Sequence, residues 1–438
     1  MYKIDGEIMN ILIVGTGYVG LVQAVALGIL GYPVVCYDKN KEIIENLRKS
    51  KISIYEPGIS KNLKKLIQEG KISFEDNETQ AFKNKDIIFV CVNTPIDEHN
   101  NIDTSYFYNA IDACLKNITK NCILVIKSTV PIGTANNINK LIKRKSKYKI
   151  DVISNPEFLS QGTALKDFLD TKRVIIGTNN IKSQPVKIIK NIYKKLNKPI
   201  IITSNINAEI IKYASNSFLA MKISFINEIS NICDLCGADI NIVSEGMKLD
   251  DRIGDKYLSA GVGFGGSCLK KDVTGFINSA KQLGFSPTIL ESIISRNNQQ
   301  NFYLVEKLKK EHNLTNKTIA ILGLSFKPNS DDIRDSIAIK NILELKKYNC
   351  NIKVYDPRAM KNTKKILPEL NFCNTIEKCL KKSDFCLIFT EWEQIKRISP
   401  NKFKKNMNSA IIFDGRNCFD VEKMKKCDVK YYSVGRPS

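Results

Sequence analysis

Short apolar runs alternate with longer mixed stretches along most of the chain, which predicts strands alternating with helices. The first run, residues 10–14, leads into Gly15-Thr-Gly-Tyr-Val-Gly20, and the small apolar residues at 21–30 predict a buried helix. A second apolar run begins at residue 34 and ends in Asp38. Further strands are predicted at residues 86–92, 122–126 and 151–154. Strands that alternate with helices indicate a parallel, doubly wound sheet.

The rest of the chain predicts one long helix and a second sheet. Residues 207–236 contain neither proline nor glycine, and Gly237 supplies a stop signal. The strand-turn-helix pattern then returns, with apolar runs at residues 317–324, 351–357, 385–390 and 410–414. The predicted fold is therefore α/β, with two Rossmann-like doubly wound parallel-sheet domains joined by a long central helix. The second turn lacks the three-glycine fingerprint, so its ligand need not be a dinucleotide.

Length and composition fit a globular protein of two or three domains, since the 438 residues are 43% hydrophobic and 26% charged. The net charge of +22 comes from lysines spread along the chain, without an arginine-rich segment. Such a surface attracts anionic small molecules, and we expect no nucleic-acid partner. No stretch reaches the roughly 18 apolar residues of a membrane span, so no membrane partner is expected either. Residues 1–10 are predicted to form a short extension before the first strand.

Cysteine and histidine usage narrows the possible chemistry. The thirteen cysteines are scattered without paired spacing, which favours neither a zinc site nor disulfides and indicates a reducing, cytoplasmic compartment. No metal ligand is assigned. The two histidines, His99 and His312, have polar neighbours in loop-like or helix-end sequence. Acid and base chemistry is therefore expected of carboxylates, lysine, cysteine or bound water.

The first glycine-rich turn has the pattern of a dinucleotide site. Gly15 permits the tight turn, Gly17 lets the backbone approach a pyrophosphate, and Gly20 lets the following helix pack closely on the strand. Backbone N–H groups at the start of that helix then hold the phosphates. Asp38, 18 residues after Gly20, would accept hydrogen bonds from ribose hydroxyls and repel a 2′-phosphate. The turn therefore predicts NAD rather than NADP as the cofactor.

A second glycine-rich segment, Gly261-Val-Gly-Phe-Gly-Gly-Ser-Cys268, surrounds a cysteine and is followed by Asp272. If a helix begins near Ser267, Cys268 lies at its N-terminus, where the helix dipole and free N–H groups favour the nucleophilic thiolate. Asp272 would share the same face one turn later. We interpret Cys268 as a nucleophile and the other twelve cysteines as apolar filling.

Two polar residues of the predicted long helix could serve one ligand. Lys212 and Asn216 are four residues apart and share a face, so they offer an ammonium and an amide donor together. Taken alone they would be ordinary surface residues. Only a resemblance to a known family gives these two residues a role.

Eight segments, taken in order, resemble the UDP-glucose/GDP-mannose dehydrogenase family. They are Gly15-Thr-Gly-Tyr-Val-Gly-Leu21, Tyr55-Glu-Pro-Gly58, Val92-Asn-Thr-Pro95, Ser128-Thr-Val-Pro-Ile-Gly133, Asn155-Pro-Glu-Phe158, Gly263-Phe-Gly-Gly-Ser-Cys268, Phe326-Lys-Pro328 and Asp414-Gly-Arg416. The resemblance implies an NAD-binding domain at residues 1–204, a central helical and dimerisation segment with the cysteine loop at 205–305, and a UDP-sugar-binding domain at 306–438. It also implies a cytoplasmic homodimer that supplies polysaccharide biosynthesis.

The resemblance assigns roles to particular residues. The catalytic set it implies is the nucleophile Cys268, its neighbouring acid Asp272, the helix residues Lys212 and Asn216, Glu157, and the water-holding Thr129. The cofactor-binding set is Gly15, Gly17, Tyr18, Val19, Gly20, Asp38, Thr94, Thr129 and Arg334. The substrate-binding set is Glu157, Lys212, Asn216, Arg252, Tyr257, Gly265, Lys327 and Arg416. Within these sets, Arg334 resembles an arginine that faces the cofactor, and Arg252 one that reaches a neighbouring subunit's site.

Two positions depart from the family pattern. Members often carry a second glutamate four residues after that of the N-P-E-F segment, where this chain has Gln161. They often carry Lys or Arg five residues beyond the ribose-binding acid, where this chain has Ile43. Neither change removes a group that the implied chemistry requires.

The implied activity is a two-step, four-electron oxidation of UDP-glucose to UDP-glucuronate with NAD. A thiohemiacetal and then a thioester would form on Cys268, with Lys212 and Asn216 stabilising the oxyanion. Water activated by Glu157 or Asp272 would release the product. Three alternatives stay open: oxidation of another nucleotide sugar, such as UDP-N-acetylmannosamine or GDP-mannose, a non-catalytic sensor of NAD or nucleotide sugars, and binding of polyanions.

Overall fold

The structure is a computed structural model that describes residues 3–4, 7–52, 54–97 and 100–437. The chain folds as two compact units, Met1–Ser215 and Asn216–Ser438. The boundary between them falls within one long helix. His99 lies outside the described residues.

The first unit carries a wide sheet with helices between its strands. Its strands are β1 (Lys3–Ile4), β2 (Glu7–Ile8), β3 (Ile11–Val14), β4 (Val34–Tyr37), β5 (Ile72–Glu75), β6 (Ile87–Val90), β7 (Cys122–Ile126), β8 (Ile150–Ser154), β9 (Val174–Gly177) and β10 (Ile200–Thr203). Its helices are α1 (Tyr18–Ile29), α2 (Lys41–Arg48), α3 (Ile59–Gln68), α4 (Glu78–Phe82), α5 (Ser105–Asn117), α6 (Thr134–Lys145), α7 (Ala164–Leu169) and α8 (Gln184–Lys194). The long helix, α9 (Asn205–Cys236), begins in this unit.

The order of the eight-stranded sheet is β10-β9-β8-β7-β6-β3-β4-β5. Strands β3 to β8 pair in parallel, with Ile11 opposite both Val34 and Ile87. This is the doubly wound order of dinucleotide-binding folds, in which the first strand lies centrally. The sheet then continues through β9, which pairs antiparallel to β8 at Ser154 and Gly177. Before the sheet, β1 and β2 pair with each other.

The second unit repeats this order in a smaller sheet. Its helices after α9 are α10 (Ile240–Lys248), α11 (Leu269–Gln282), α12 (Thr288–Gln300), α13 (Tyr303–Glu311), α14 (Ile337–Lys346), α15 (Met360–Ile366), α16 (Ile376–Leu380), α17 (Glu393–Lys396), α18 (Pro400–Asn406) and α19 (Val421–Lys426). Its strands are β11 (Thr318–Leu322), β12 (Asn351–Tyr355), β13 (Asn371–Phe372), β14 (Phe385–Ile388), β15 (Ile411–Asp414) and β16 (Lys430–Ser433). They are ordered β13-β12-β11-β14-β15-β16, and all pair in parallel.

The central strands are buried on both faces, as continuous apolar runs require. In β3, Ile11 and Ile13 join one core cluster while Leu12 and Val14 join the cluster on the opposite face. In the second unit, Ile319 of β11 joins one core cluster, and Leu322 joins the cluster on the opposite face. The predicted pair of doubly wound sheets is confirmed.

The predicted long helix is also confirmed, with a start two residues earlier than expected. The helix spans 32 residues from Asn205 to Cys236. The Ser204 hydroxyl accepts a hydrogen bond of 3.2 Å from the backbone N–H of Asn207, which caps the first turn. Within the described residues, no helix is both long enough and apolar enough to span a membrane.

Candidate active site

The glycine-rich turn after β3 has the geometry that its sequence predicts. Gly15 has a φ of +89°, and its N–H donates to the carbonyl of Tyr37 at 2.8 Å. A side chain at Gly20 would overlap the carbonyl oxygen of Gly15, so α1 can pack here only on a glycine. At Gly17 an added Cβ would meet Asn93 at an ordinary 3.6 Å. Packing within the unit therefore does not require Gly17, and the backbone there is open to a ligand.

Asp38 follows β4 and accepts hydrogen bonds from this turn. Its Oδ2 accepts hydrogen bonds from the N–H and hydroxyl of Thr16 at 2.8 and 3.0 Å, and its Oδ1 accepts from the N–H of Asn40 at 3.0 Å. The residue is partly exposed. Because a carboxylate offers about four acceptor positions, Asp38 can still accept a hydrogen bond from a ligand hydroxyl.

Tyr18 and Val19, which were also predicted to bind the cofactor, make contacts within the first unit. The hydroxyl of Tyr18 donates to the carboxylate of Glu56 and accepts from the N–H of Gly162 at 3.2 Å. Burial and the neighbouring Glu56 raise the pKa of Tyr18. Glu56 also accepts from the N–H groups of Gly162 and Ala164, at 2.6 and 2.8 Å. Val19 packs against the core beside this turn. Sequence reasoning included Glu56 in a matching segment but gave it no role.

Lys212 and Glu157 form a buried ion pair in the first unit. The Lys212 ammonium donates to the Glu157 carboxylate at 2.8 Å and to the Glu157 backbone carbonyl at 2.7 Å. The other carboxylate oxygen of Glu157 accepts from the N–H of Leu159 at 2.6 Å. The side chains of Lys212 and Glu157 are 5% and 10% exposed, so water screens their attraction little.

Thr129 lines the same cavity as Lys212. Ser154, Glu209 and Tyr213 also line this cavity. The Thr94 hydroxyl donates to the Thr129 carbonyl at 2.7 Å, and the Tyr213 hydroxyl donates to the Val130 carbonyl at 3.0 Å. The structure thus brings three predicted residues, Thr94, Thr129 and Lys212, to one place.

Glu209 is a residue of this cavity that sequence reasoning missed. Its carboxylate accepts from the N–H groups of Gly133 and Ala135, at 2.5 and 2.9 Å, at the start of α6. Burial raises the pKa of Glu209, while these two hydrogen bonds lower it. The signal for this role was weak, because a lone glutamate on a helix is usually a surface residue.

Cys268 lies at the N-terminal end of α11 in the second unit. The helix begins at Leu269, so Cys268 is the capping residue. The residue is exposed, as a nucleophile must be. Free N–H groups at a helix start favour a thiolate. Arg334 interacts electrostatically with Cys268. The pKa of Arg334 is raised mainly by its hydrogen bond to Asp332, with a smaller contribution from Cys268.

The glycines before Cys268 allow the loop to pack backbone against backbone. A side chain at Gly265 would overlap the Asp335 carbonyl oxygen. The amide of Asn297, on α12, accepts from the N–H of Phe264 at 2.8 Å and donates to its carbonyl at 3.0 Å. Gly265 therefore has a packing function, and Asn297 anchors the loop. Sequence reasoning missed Asn297, because its contact spans 33 residues.

Asp272 is almost fully buried one turn after Cys268. Its N–H donates to the Cys268 carbonyl at 2.8 Å, and its side chain is 1% exposed. One carboxylate oxygen accepts from the Asn216 amide at 2.5 Å, and the other accepts from the Lys271 ammonium at 2.6 Å. The predicted residues Asn216 and Asp272 are thus in direct contact. Lys271, which sequence reasoning missed, neutralises the buried acid.

Two of the predicted cationic residues each form an ion pair with an aspartate two residues earlier in the chain. The guanidinium of Arg334 pairs with Asp332 at 2.6 Å, and that of Arg252 pairs with Asp250 at 2.6 Å. The Arg252 side chain is 90% exposed, which leaves it accessible to a partner. Tyr257, beyond it, has a φ of +64°.

The other two cationic residues lie at the second sheet. Arg416 follows β15, and its Nε donates to the Phe389 carbonyl at 2.7 Å and lies 3.2 Å from a Glu391 carboxylate oxygen. Lys327 is partly buried, with its ammonium 5.6 Å from the ring centre of Phe326. Both follow strands, at the edge where parallel sheets place their ligands.

His312 has a packing environment. His312 lies at the end of α13, and its ring centre is 4.9 Å from that of Phe385. Within the residues that the structure describes, no group of three or more His, Cys, Asp or Glu side chains could hold a metal ion.

Three sequence models of one family match the chain. They describe the NAD binding domain, the central domain and the UDP binding domain of the UDP-glucose/GDP-mannose dehydrogenase family, over residues 9–197, 206–299 and 320–421. UDP-glucose 6-dehydrogenase YwqF of Bacillus subtilis is 40% identical over 432 residues, 98% of each chain. The chain belongs to the UDP-glucose/GDP-mannose dehydrogenase family. Its cofactor is NAD, which the matched N-terminal domain binds.

Further relatives agree with this family assignment. A UDP-glucose 6-dehydrogenase of Rickettsia typhi is 39% identical over 98% of this chain and 99% of its own. A UDP-glucose dehydrogenase structure from Pyrobaculum islandicum shares 32% identity, covers 100% of both chains and has a TM-score of 0.92. A UDP-D-ManNAc dehydrogenase structure from Pyrococcus horikoshii shares the fold, with 24% identity, a TM-score of 0.86 and coverage of 98% of this chain and 100% of its own.

Proposed function

We propose that this family member is an NAD-dependent UDP-glucose 6-dehydrogenase that oxidises UDP-glucose twice, to UDP-glucuronate. The observation that carries the proposal is the exposed thiol of Cys268 at the start of α11, with the buried Asp272 one turn later. An enzyme that stopped at the aldehyde would not require this nucleophile. The Bacillus subtilis and Pyrobaculum islandicum relatives, both named for UDP-glucose, support this choice of substrate.

The residues of the first turn fit the cofactor. Gly17 leaves the backbone open, α1 begins directly after it without a side-chain cap, and Asp38 retains acceptor capacity. We assign cofactor binding to Gly15, Gly17, Tyr18, Val19, Gly20, Asp38, Thr94, Thr129 and Arg334. When bound, NAD⁺ supplies the hydride acceptor for each oxidation.

In the first oxidation, C6 loses a hydride to NAD⁺ while a water held by Thr129 takes the proton of the C6 hydroxyl. Lys212 and Asp272 support that water. The buried ion pair with Glu157 fixes the direction of the Lys212 side chain, because a buried cation without a partner is costly inside a protein. The C6 aldehyde that results stays bound.

Cys268 then attacks the aldehyde carbon, which forms a carbon–sulfur bond and a thiohemiacetal. The Lys212 ammonium and the Asn216 amide, four residues apart on α9, stabilise the oxyanion. Loss of the second hydride to a second NAD⁺ converts the thiohemiacetal to a thioester. Water activated by Glu157 cleaves the thioester, releases the carboxylate and restores the thiol. We assign this step to Glu157 because its side chain is 10% exposed, whereas that of Asp272 is 1% exposed and so less able to reach water.

Cations and amides surround the diphosphate and sugar in this proposal. The substrate-binding residues are Glu157, Lys212, Asn216, Arg252, Tyr257, Gly265, Lys327 and Arg416. Among them, the guanidinium of Arg416 can contact phosphate oxygens in a bidentate manner. The three functional segments run from residues 1–204 for NAD, through 205–305 for dimerisation and the cysteine loop, to 306–438 for the UDP-sugar.

The proposal includes a homodimer built on α9. Phe218, Phe225 and Ile232 recur every seven residues on this helix and are 58%, 49% and 53% exposed. An apolar stripe of this kind is typical of an interface that a second copy covers. The thirteen free cysteines support a cytoplasmic location. The activated uronate would be a donor for polysaccharide biosynthesis.

The test is a count of NADH against a panel of nucleotide sugars. The purified enzyme is incubated with UDP-glucose, UDP-N-acetylmannosamine and GDP-mannose, and NADH formed per sugar consumed is measured. The proposal expects two NADH per UDP-glucose and far slower turnover of the others. One NADH per sugar would refute the two-step scheme, and NADH from none of them would favour a sensor.

A further inference from the structure

Lys127 is a buried lysine that the reaction described above does not use. It follows β7, and it is 5% exposed. Its ammonium donates to the Asn155 side-chain oxygen at 3.2 Å. Within the described part of the chain, no carboxylate forms a salt bridge with it. A buried cation without a carboxylate partner is costly, so such a group usually has a function.

The acceptor of Lys127 is the first residue of the segment that carries Glu157. The Asn155 oxygen also accepts from the Tyr193 hydroxyl at 2.5 Å, and the Asn155 amide donates to the Ile175 carbonyl at 2.7 Å. Asn155 is 1% exposed, and its side chain contacts three separate segments, at Lys127, Tyr193 and Ile175. Pro156 stiffens the short connection from Asn155 to Glu157. A movement of Asn155 is therefore transmitted to the Glu157 carboxylate and to its partner Lys212.

We propose that Lys127 is a positioning residue of this site, whose ammonium holds Asn155 so that Glu157 stays directed at Lys212. This inference rests on the proposed function, because it concerns Glu157 as the group that activates water. Lys127 itself touches neither substrate nor cofactor in the scheme. Its effect on the reaction passes through Asn155.

The charges around Lys127 give the inference a pH signature. The pKa of Lys127 is lowered to about 8, mainly by burial and to a smaller extent by Lys212, while Cys91 and Glu157 act in the opposite direction. The ring of Tyr193 also faces the ammonium, at 5.8 Å. Lys127 therefore changes charge within an ordinary assay range. When it becomes neutral its hold on Asn155 weakens, so we expect kcat to fall as the pH rises through about 8.

The experiment measures kcat and KM of the full-length enzyme with UDP-glucose and NAD between pH 6.5 and 9.5. Lys127→Met removes the charge, Lys127→Arg keeps it, and Asn155→Ser replaces the amide acceptor with a shorter hydroxyl. Lys140→Met, at an exposed position of α6, is the matched control. We expect Lys127→Met to lower kcat about tenfold or more at pH 7 and to leave the KM for NAD unchanged, because misplaced catalytic groups affect turnover. Lys127→Arg recovers activity and lacks the fall near pH 8.

A double variant separates positioning from general damage to the fold. If Lys127 acts through Asn155, the pair Lys127→Met and Asn155→Ser together lowers kcat no further than the more affected single variant. Thermal melting establishes which variants fold, and Asn155→Ser tests the same contact if Lys127→Met does not fold. A folded Lys127→Met or Asn155→Ser with normal kcat and pH profile would overturn the inference. Wild-type enzyme that forms no NADH from UDP-glucose would instead refute the proposed function, and the inference with it.

Discussion

The two units contain the same strand-turn pattern, and they close it in different ways. Gly15 and Gly323 have φ values of +89° and +90°, and their N–H groups donate to the carbonyls of Tyr37 and Tyr355. An aspartate follows each second strand and accepts from the backbone after the glycine, at 2.8 Å for Asp38 and 2.7 Å for Asp356. A shared turn geometry does not by itself determine the ligand.

The difference lies in what surrounds each aspartate. Asp356 accepts from six donors: the N–H groups of Leu324, Ser325, Arg358 and Ala359, the Ser325 hydroxyl and the Trp392 indole. It is 1% exposed, so a ligand cannot use it. Asp38 is partly exposed and retains acceptor capacity.

The helices after the two turns differ as well. The helix α1 begins at Tyr18, four residues after β3 ends, whereas α14 begins at Ile337, fifteen residues after β11 ends. Pro328 occupies the position that corresponds to Gly20. The second turn therefore lacks a helix start where a pyrophosphate would bind. One turn is open for a dinucleotide, and the other is closed by its own side chains.

The largest effect is expected for Gly20→Ala. The added Cβ would overlap the Gly15 carbonyl oxygen, so the backbone must move. We expect a loss of stability of about 4 kcal/mol or more, or no folded protein, measured by thermal melting and soluble yield. Gly17→Ala is the control, and it should fold but bind NAD more weakly. Gly20→Ala with the melting temperature of the wild type would contradict this interpretation of the turn.

Asp356→Ala should be the next most damaging change. It leaves buried N–H groups without acceptors, and each such group costs about 1–3 kcal/mol. We expect a stability loss of about 3–5 kcal/mol, read from denaturant unfolding. Asp38→Ala, the matched change in the open turn, should cost about 1 kcal/mol. Equal losses in both variants would remove the distinction between a closed and an open turn.

Cofactor binding should instead be more sensitive to a change in the open turn than to one in the closed turn. Asp38→Ala should raise the KM for NAD about tenfold, since a hydrogen bond to a charged group contributes about 1.5–3 kcal/mol. It should also reduce the preference for NAD over NADP, because the charge that repels a 2′-phosphate is gone. Ser325→Ala, in the closed turn, should leave the KM for NAD unchanged. Initial-rate kinetics with both cofactors decides the point.

The smallest effect is expected for Trp392→Phe. The ring still packs, while Asp356 loses one of its six donors. We expect a loss of about 1 kcal/mol in denaturant unfolding and unchanged kinetic constants. A change in NAD affinity would show that the closed turn also contributes to cofactor binding.

Local pattern was sufficient to predict most of the fold. The runs that became β3, α1 and β4 are short and continuous, and α9 differs from its prediction by two residues. The antiparallel direction of β9 could not be predicted, because it depends on how the chain returns to the sheet. The burial of Asp356 could not be predicted for a similar reason, because its hydrogen-bond donors come from three separate segments.

Residues of the candidate site could be predicted where they belong to a contiguous motif, and not where they stand alone in the sequence. Cys268 and the glycines before it are a contiguous motif, and the structure places the cysteine at a helix start as expected. Lys127, Glu209 and Lys271 carry no such signal, because a single lysine or glutamate in sequence is indistinguishable from a surface residue. Their contacts become visible only when distant segments pack together.

In the proposed mechanism, Cys268 carries the second oxidation. The most direct measurement compares wild type and Cys268→Ser for NADH formed and UDP-glucuronate released per UDP-glucose consumed, with products identified by mass spectrometry. The proposed mechanism predicts two NADH and one UDP-glucuronate for the wild type, and little or no UDP-glucuronate for the variant. Release of UDP-glucuronate by Cys268→Ser at the wild-type rate would contradict it.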